Sequence, residues 1–267
     1  MKLEIGIRVS FMLFMPIIVL VQGCTMVKIS ISEKRNPALQ QISIGENTVL
    51  STWGTIKVNK SHFFPSSFQL RTKDKVIYID PVGIGTTKKA DYILITHSHP
   101  DHFSMNDIEK VIQSETKIIC SMGISKKLKA YNPHLRVMKP RDVLKFENLD
   151  IEATPAYNTK SVFLWIKAHP RSKENIGFIL NLEGNLRIYH AGDTNYIPEM
   201  KGLKDIAVAL IPIGGDNLTM DEEEAAQIVN EIGPEKVIPM HYEIKNRETL
   251  KRFESLVSPG IKVVVLD

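Results

Sequence analysis

Cysteine is nearly missing from this chain, with only Cys24 and Cys120 among 267 residues. The histidines therefore have no thiolate beside them, which argues against a closed structural zinc site. Also missing are a Gly-x-Gly-x-x-Gly turn and a P-loop, so the chain has no phosphate-binding fingerprint. Net charge is only +4, and the lysines are scattered rather than gathered into a basic stripe with interleaved aromatics. Nucleic acid is thus not a favoured partner. After residue 50 no Pro/Gly/Ser-rich or low-complexity segment interrupts the chain, so one domain of two similar halves is expected.

What the chain does have is a dense cluster of metal-binding side chains. Residues 96 to 103 read Thr-His-Ser-His-Pro-Asp-His-Phe, placing His97, His99, Asp101 and His102 within six positions. The preceding run, Asp91 to Thr96, is apolar with a β-branched end and reads as a buried strand. The cluster then lies on the loop leaving that strand, and Pro100, which lacks an N–H, ends regular pairing there. A strand end is where α/β proteins keep their ligand sites. Imidazole and carboxylate donors suit zinc, with manganese, iron or nickel as alternatives. The competing reading is a His-rich surface loop.

Short apolar runs alternate with polar helical stretches over the rest of the chain. Strands are expected near Thr55–Val58, Phe68–Arg71, Val76–Ile79, Tyr92–Thr96, Lys117–Cys120 and Ile151–Ala156. Further strands are expected near Ile176–Leu182, Leu186–Ala191, Val208–Pro212, Val237–Met240 and Ile261–Leu266. Helices are expected at Met105–Ser114, Lys126–Tyr131, Asp221–Ile232 and Arg247–Leu256. Carboxylates at 221 to 224 open the third of these near the positive end of its dipole, and Gly233-Pro234 stops it. This alternation gives an α/β fold.

The pattern H-x-H-x-D-H at 97 to 102 resembles the signature of the metallo-β-lactamase superfamily. That resemblance implies a four-layer αββα sandwich holding one or two metals between its sheets, over residues 49 to 267. It also implies an aspartate after a later strand, supplied by Gly192-Asp193, and a last histidine after a C-terminal strand, supplied by His241. In this scheme His97, His99 and a third imidazole bind one metal, Asp101, His102 and His241 the other, and Asp193 bridges them. Two such cations, zinc first, lower the pKa of a shared water toward ~7 and give a hydroxide that cleaves an ester, lactone or phosphodiester. Asp101, His102 and Asp193 are the residues so placed in catalysis.

The third imidazole is where the chain departs from the pattern, because Asn158 stands at the expected position in Thr-Pro-Ala-Tyr-Asn. His169, in Ala-His-Pro-Arg, is the candidate replacement, with Asn158 behind it or against substrate; the competing reading makes His169 a surface residue. His190 is expected to pack or to make a satisfied hydrogen bond, and His62 and His134 to be exposed. Phe63, Phe64 and Trp53 are candidates for an apolar wall, Tyr242, Arg171 and Lys173 for substrate contacts. The glycines of Ile-Pro-Ile-Gly-Gly-Asp, 211 to 216, imply close backbone approach to the site. The runs Tyr-His-Ala-Gly-Asp-Thr (189 to 194) and Ile-Pro-Met-His-Tyr (238 to 242) resemble the branch of ascorbate-6-phosphate lactonase and N-acyl-phosphatidylethanolamine phospholipase D. Rival classes are a nuclease on the same fold and a non-catalytic metal-binding or sensor lipoprotein.

The N-terminus carries a different signal. Lys2 and Arg8 precede an apolar run, Val9 to Val21, shorter than the ~20 residues of a comfortable membrane span. It ends in Gly23-Cys24, which resembles a lipoprotein cleavage box, so residues 1 to 23 read as a signal peptide and Cys24 as a lipid anchor on the extracytoplasmic side. Alternatives are a retained anchor helix, or a cytoplasmic enzyme beginning near Met26. Removing residues 1 to 23 leaves a charge of about +3 and, with Cys24 acylated, no partner for a Cys120 disulfide. Residues 24 to 48 are then a polar stalk, and the expected substrate is a small molecule or lipid carrying an ester or phosphodiester.

Overall fold

A computed structural model describes residues 29–32, 39–53, 55–58, 61–85 and 88–267. The signal-peptide and Cys24 expectations lie outside the described residues. Two seven-stranded mixed sheets make up the body of the fold. The first contains β2 (Gln40–Gly45), β3 (Thr48–Thr52), β6 (Phe68–Arg71), β7 (Val76–Ile79), β8 (Tyr92–Ile95), β9 (Lys117–Ser121) and β10 (Leu135–Met138). The second contains β11 (Val143–Phe146), β12 (Leu149–Pro155), β13 (Ile176–Leu182), β14 (Leu186–His190), β15 (Val208–Pro212), β16 (Lys236–Met240) and β18 (Lys262–Val263). A small antiparallel sheet joins β1 (Ile29–Ser32), β4 (Thr55–Val58), β5 (Ser61–Phe64) and β17 (Tyr242–Glu243).

The period-2 alternation of the strands assigns the layers. In β7, β8 and β9, Ile77, Ile79, Leu94 and Ile119 join the large core shared with the second sheet. Their neighbours Tyr78, Ile93, Ile95, Ile118 and Cys120 form a separate core with Ile108 and Val111 of α1 (Met105–Val111). A short turn of helix, α2 (Met122–Ser125), and the 3-10 stretch Lys126–His134 complete that outer layer, contributing Ile124 and Leu128. On the far side, α3 (Glu222–Ile232) and α4 (Arg247–Leu256) pack on each other, and their buried Ile228, Val229 and Phe253 belong to the large core. The order is helix, sheet, sheet, helix, as the sequence resemblance implies.

Three stretches differ from the sequence reading for identifiable reasons. Residues 24 to 48, expected as a polar stalk, include β1 and β2: Ile42 and Ile44 alternate with serine, Ile44 is buried, and β2 pairs with β3 across a tight turn. The domain therefore begins before residue 49. The helix expected to run to Ser114 stops at Val111, because Thr116 Oγ1 takes the Gln113 N–H and Lys89 Nζ covers the Lys110 and Ile112 carbonyls. The C-terminal strand is also cut short, to Lys262–Val263. After the Val264 N–H bond to the Val237 carbonyl, the next rung of a parallel ladder needs an N–H from residue 239, and Pro239 has none.

Strands β7 to β10 are parallel, as are β14, β15, β16 and β18. Their C-terminal ends present Asp80, His97, Asp193 and His241 along one edge of the sandwich.

Candidate metal centre

Seven side chains converge at that edge, in two groups that share Asp193. One group is His97, His99, His169 and Asp193; the other is Asp101, His102, Asp193 and His241. Within each group the donor atoms lie within 4.8 Å of one another. His169 Nε2 sits 3.0 Å from His99 Nδ1 and 3.5 Å from Asp193 Oδ2, so the sequence candidate for the third imidazole is in place. His241 Nε2 is 3.2 Å from Asp193 Oδ2 and 3.1 Å from Asp101 Oδ2. His102 Nε2 lies 3.1 Å from Asp193 Oδ1, without the alignment of a hydrogen bond.

Whether these residues suit a cation can be judged from their unsatisfied atoms. His97 Nε2, His102 Nε2 and Asp193 Oδ1 are all buried and lack a hydrogen-bond partner. Leaving such atoms unpaired costs about 1–3 kcal/mol each. His97 belongs to one donor group and His102 to the other, with Asp193 in both, so a divalent ion in each group would satisfy these atoms. The donor set fits the group.

Each imidazole is held from behind. Asp80, fully buried, accepts from His102 Nδ1 at 2.6 Å and from the Thr96 amide and hydroxyl at 2.8 and 2.7 Å. Thr96 Oγ1 in turn lies 3.0 Å from His97 Nδ1. Asn158 Oδ1 accepts from the His169 amide and faces His169 Nδ1, both at 2.9 Å, while its Nδ2 donates to the Leu218 carbonyl at 2.8 Å. At 1 % exposure, Asn158 cannot touch substrate. Outer partners of this kind fix the tautomer and aim the free nitrogen. Asp80 was not singled out from the sequence; its only signal is a carboxylate following the apolar Val-Ile-Tyr-Ile strand.

Electrostatics divide the imidazoles into two sets. Burial lowers the pKa of His97 well below the ordinary value, lowers that of His99, and brings His169 to about 4. These three are neutral, as metal ligands must be. Burial also opposes charge on His102 and His241, but the carboxylates outweigh it. Asp193, Asp101 and Asp80 raise His102 well above its ordinary value, and Asp193 and Asp101 bring His241 to about 10. Reciprocally, against the effect of burial, His102 and His241 hold Asp101 at about 2 and Asp193 well below the carboxylate range. In the absence of an ion, protons on His102 and His241 balance the two carboxylates.

A cavity of about 400 Å³ opens over the centre, walled by Phe63, Phe64, Pro65, Pro100 and Leu218. Gly214 and Gly215 form its floor, and a Cβ on Gly214 would collide with the His241 carbonyl. The close backbone approach expected for this segment is therefore real. A larger cleft of about 640 Å³ lies at the other edge of the sheets, around Gly45, Thr72 and Gly184, and contains none of the imidazoles.

Other sequence candidates are placed elsewhere. Tyr242 is fully buried against Phe64, and Trp53 stacks on Tyr78 in the outer core, so neither reaches substrate. Arg171 pairs with Glu199 at 2.8 Å and covers the Tyr157 ring, outside the cavity. His190 Nε2 donates to the Ser66 carbonyl and its Nδ1 accepts from Gly192, a satisfied core histidine. His62 and His134 are partly buried rather than exposed. Next to Asp193, the Thr194 hydroxyl accepts from the Tyr157 amide and shares its proton between the Tyr157 and Asn195 carbonyls, tying this loop to the segment that carries Asn158.

A four-layer sandwich with this His/Asp centre at the edge of its sheets defines a metal-dependent hydrolase of the metallo-β-lactamase type. Residues 61–241 match the family model described as the beta-lactamase superfamily domain. A UPF0173 metal-dependent hydrolase of Nanoarchaeum equitans is 35% identical over 180 residues, 66% of this chain and 80% of that protein. One from Thermoplasma acidophilum is 31% identical over 215 residues, 78% of this chain and 89% of that protein. Among solved structures, Igni18, a metallo hydrolase of Ignicoccus hospitalis, is 28% identical with a TM-score of 0.59, covering 77% of this chain and 93% of its own. The chain belongs to the metallo-β-lactamase superfamily.

Proposed function

We propose that this protein hydrolyses an ester, lactone or phosphodiester using two metal ions held by the seven converging side chains. The observation that carries this is the pair of donor groups sharing buried Asp193, with three of their donor atoms otherwise unpartnered. The borderline nitrogen and oxygen donors favour zinc, with manganese, iron and nickel as alternatives. When bound, the ions supply the Lewis acidity that activates water and polarises the scissile bond.

The chain's own residues do the rest. Asp193, on the loop that Thr194 ties to Tyr157, turns Oδ2 toward His97, His169 and His241 and Oδ1 toward His102, so it serves both groups. Asp101, one-fifth exposed, is the more open of the two carboxylates lining the cavity and can orient water or take a proton. Phe63, Pro65, Pro100 and Leu218 exclude bulk water and favour an apolar substituent on the substrate. Asn158, the departure from the family pattern, positions His169, which supports a complete ligand set over the non-catalytic alternative.

Hydrolysis of bis(p-nitrophenyl) phosphate, a p-nitrophenyl ester series and a lactone panel by the metal-loaded chain tests the reading. Turnover on at least one class, lost in Asp193→Asn, is expected. No turnover on any of them after loading with zinc, manganese or iron would contradict it.

A further inference from the structure

Between Asn158 and His169, both part of the centre's scaffold, the chain leaves the protein body in a short apolar hairpin. The Val162 N–H donates to the Ile166 carbonyl and the Ile166 N–H to the Phe163 carbonyl, each at 2.8 Å. Leu164 turns the chain with φ 48, a left-handed conformation that costs a bulky residue energy. Five consecutive large apolar side chains are exposed there: Val162 40%, Phe163 49%, Leu164 66%, Trp165 81% and Ile166 53%. Single exposed apolar residues are ordinary, but a contiguous projecting group marks an interaction surface.

The hairpin's position is as informative as its composition. Asn217 Nδ2 holds the Ser161 carbonyl at 3.0 Å, joining the base of the hairpin to the 214–218 segment that lines the cavity. Leu218, on the same rim, is 37% exposed. The tip carries no charge, Lys167 follows it, and Trp165 is its most exposed residue, while Lys160 before it is paired with Asp221 and Glu224. An uncharged tip bearing tryptophan with Lys167 beside it suits a membrane interface, where the indole sits at headgroup level and the cation meets phosphates. The sequence offers a second apolar element for the same surface, the run Val9 to Val21 before Cys24. No helix among the described residues is long and apolar enough to cross a membrane, so contact by the folded body would be interfacial.

We propose that the 161–167 hairpin inserts its tip into a lipid bilayer and sets the mouth of the metal centre's cavity against the membrane surface. The occupant of this apolar surface is the interfacial region of the bilayer. The proposal stands on the hairpin alone and does not need the centre to be catalytic. If the hydrolase reading holds, it directs that activity toward ester or phosphodiester amphiphiles presented at the interface.

Trp165 is its own probe, because the only other tryptophan, Trp53, is buried. The full chain is reconstituted into phosphatidylglycerol and phosphatidylethanolamine vesicles whose acyl chains carry bromine, and its tryptophan emission is compared with that in unbrominated vesicles. A blue shift and loss of about half the emission is expected, since one of two indoles meets the lipid, with the loss abolished in Trp165→Phe. Vesicle-bound chain whose emission bromine leaves unchanged would overturn the proposal, as the N-terminus alone would then hold the protein. A blue shift that tracks protein concentration without vesicles would also overturn it and assign the hairpin to a second copy. Metal content and turnover, measured separately, decide the hydrolase reading without affecting this outcome.

Discussion

Replacing Asn158 with alanine tests the proposal that His169 is a ligand. Asn158 Oδ1 is the acceptor facing both the backbone and ring nitrogens of His169, and its Nδ2 anchors the assembly to Leu218. The residue is 1 % exposed, so water does not replace the lost groups freely. Three hydrogen bonds at about 1 kcal/mol each, with one or more groups left unpaired, give a stability loss of roughly 2–4 kcal/mol. The site effect is separate. Loss of an outer partner of a ligating histidine costs about 10–100-fold in metal affinity or activity. That loss should fall on the ion held by His97, His99 and His169, while the ion at Asp101, His102 and His241 binds as before. Competition titration with chromophoric chelators on the folded variant resolves the two affinities. Equal weakening of both ions would reduce Asn158 to a stability residue, and unchanged affinity for both would refute its role behind His169.

Asp80→Asn should weaken the other ion by a similar ~10–100-fold, because it removes the carboxylate that orients His102; unaltered affinity there would contradict the pairing. Gly214→Ala should cost several-fold or more in turnover and lower Tm, since its Cβ meets the His241 carbonyl; wild-type activity would show that the loop can yield. For the metal-free chain, His241 is raised to about 10, so its contribution to stability is full below pH 6.5 and disappears as pH rises through 10. His169, lowered to about 4, removes stability as pH falls from 6.5 to 4. Tm of the apo chain should therefore peak near pH 6.5, and a Tm still rising at pH 9 would contradict the charge assignment. Chelation of the loaded chain should lower Tm by several degrees through mass action, read by calorimetry.

Much of the centre was legible because metal ligation is local in residue type. His97, His99, Asp101 and His102 form a compact motif, whereas Asp193 and His241 were reached through the family resemblance, each standing just after an apolar strand as it implies. His169 was harder: it lies eleven residues after Asn158, and only the hairpin between them brings it back over the centre. Asp80 was not read from sequence, because a lone aspartate after a strand looks like any turn residue until the fold sets it under His102. An α/β fold followed from the alternating apolar runs, and the four-layer sandwich from the family resemblance. Its N-terminal edge did not, since the β2 and β3 hairpin is rich in serine, glutamine and threonine and reads as polar unless the alternation of Ile42 and Ile44 is weighed. Pro239 hid the early end of the last strand for a related reason: its effect lies in the neighbour's ladder rather than its own.

The most direct measurement is metal stoichiometry by elemental analysis of the full chain beside His169→Ala and Asp193→Asn. Two ions per chain, falling to about one in His169→Ala and lower in Asp193→Asn, would meet the expectation of two sites sharing one carboxylate. One ion or none in the unaltered chain after loading, or two ions retained without His169, would contradict it.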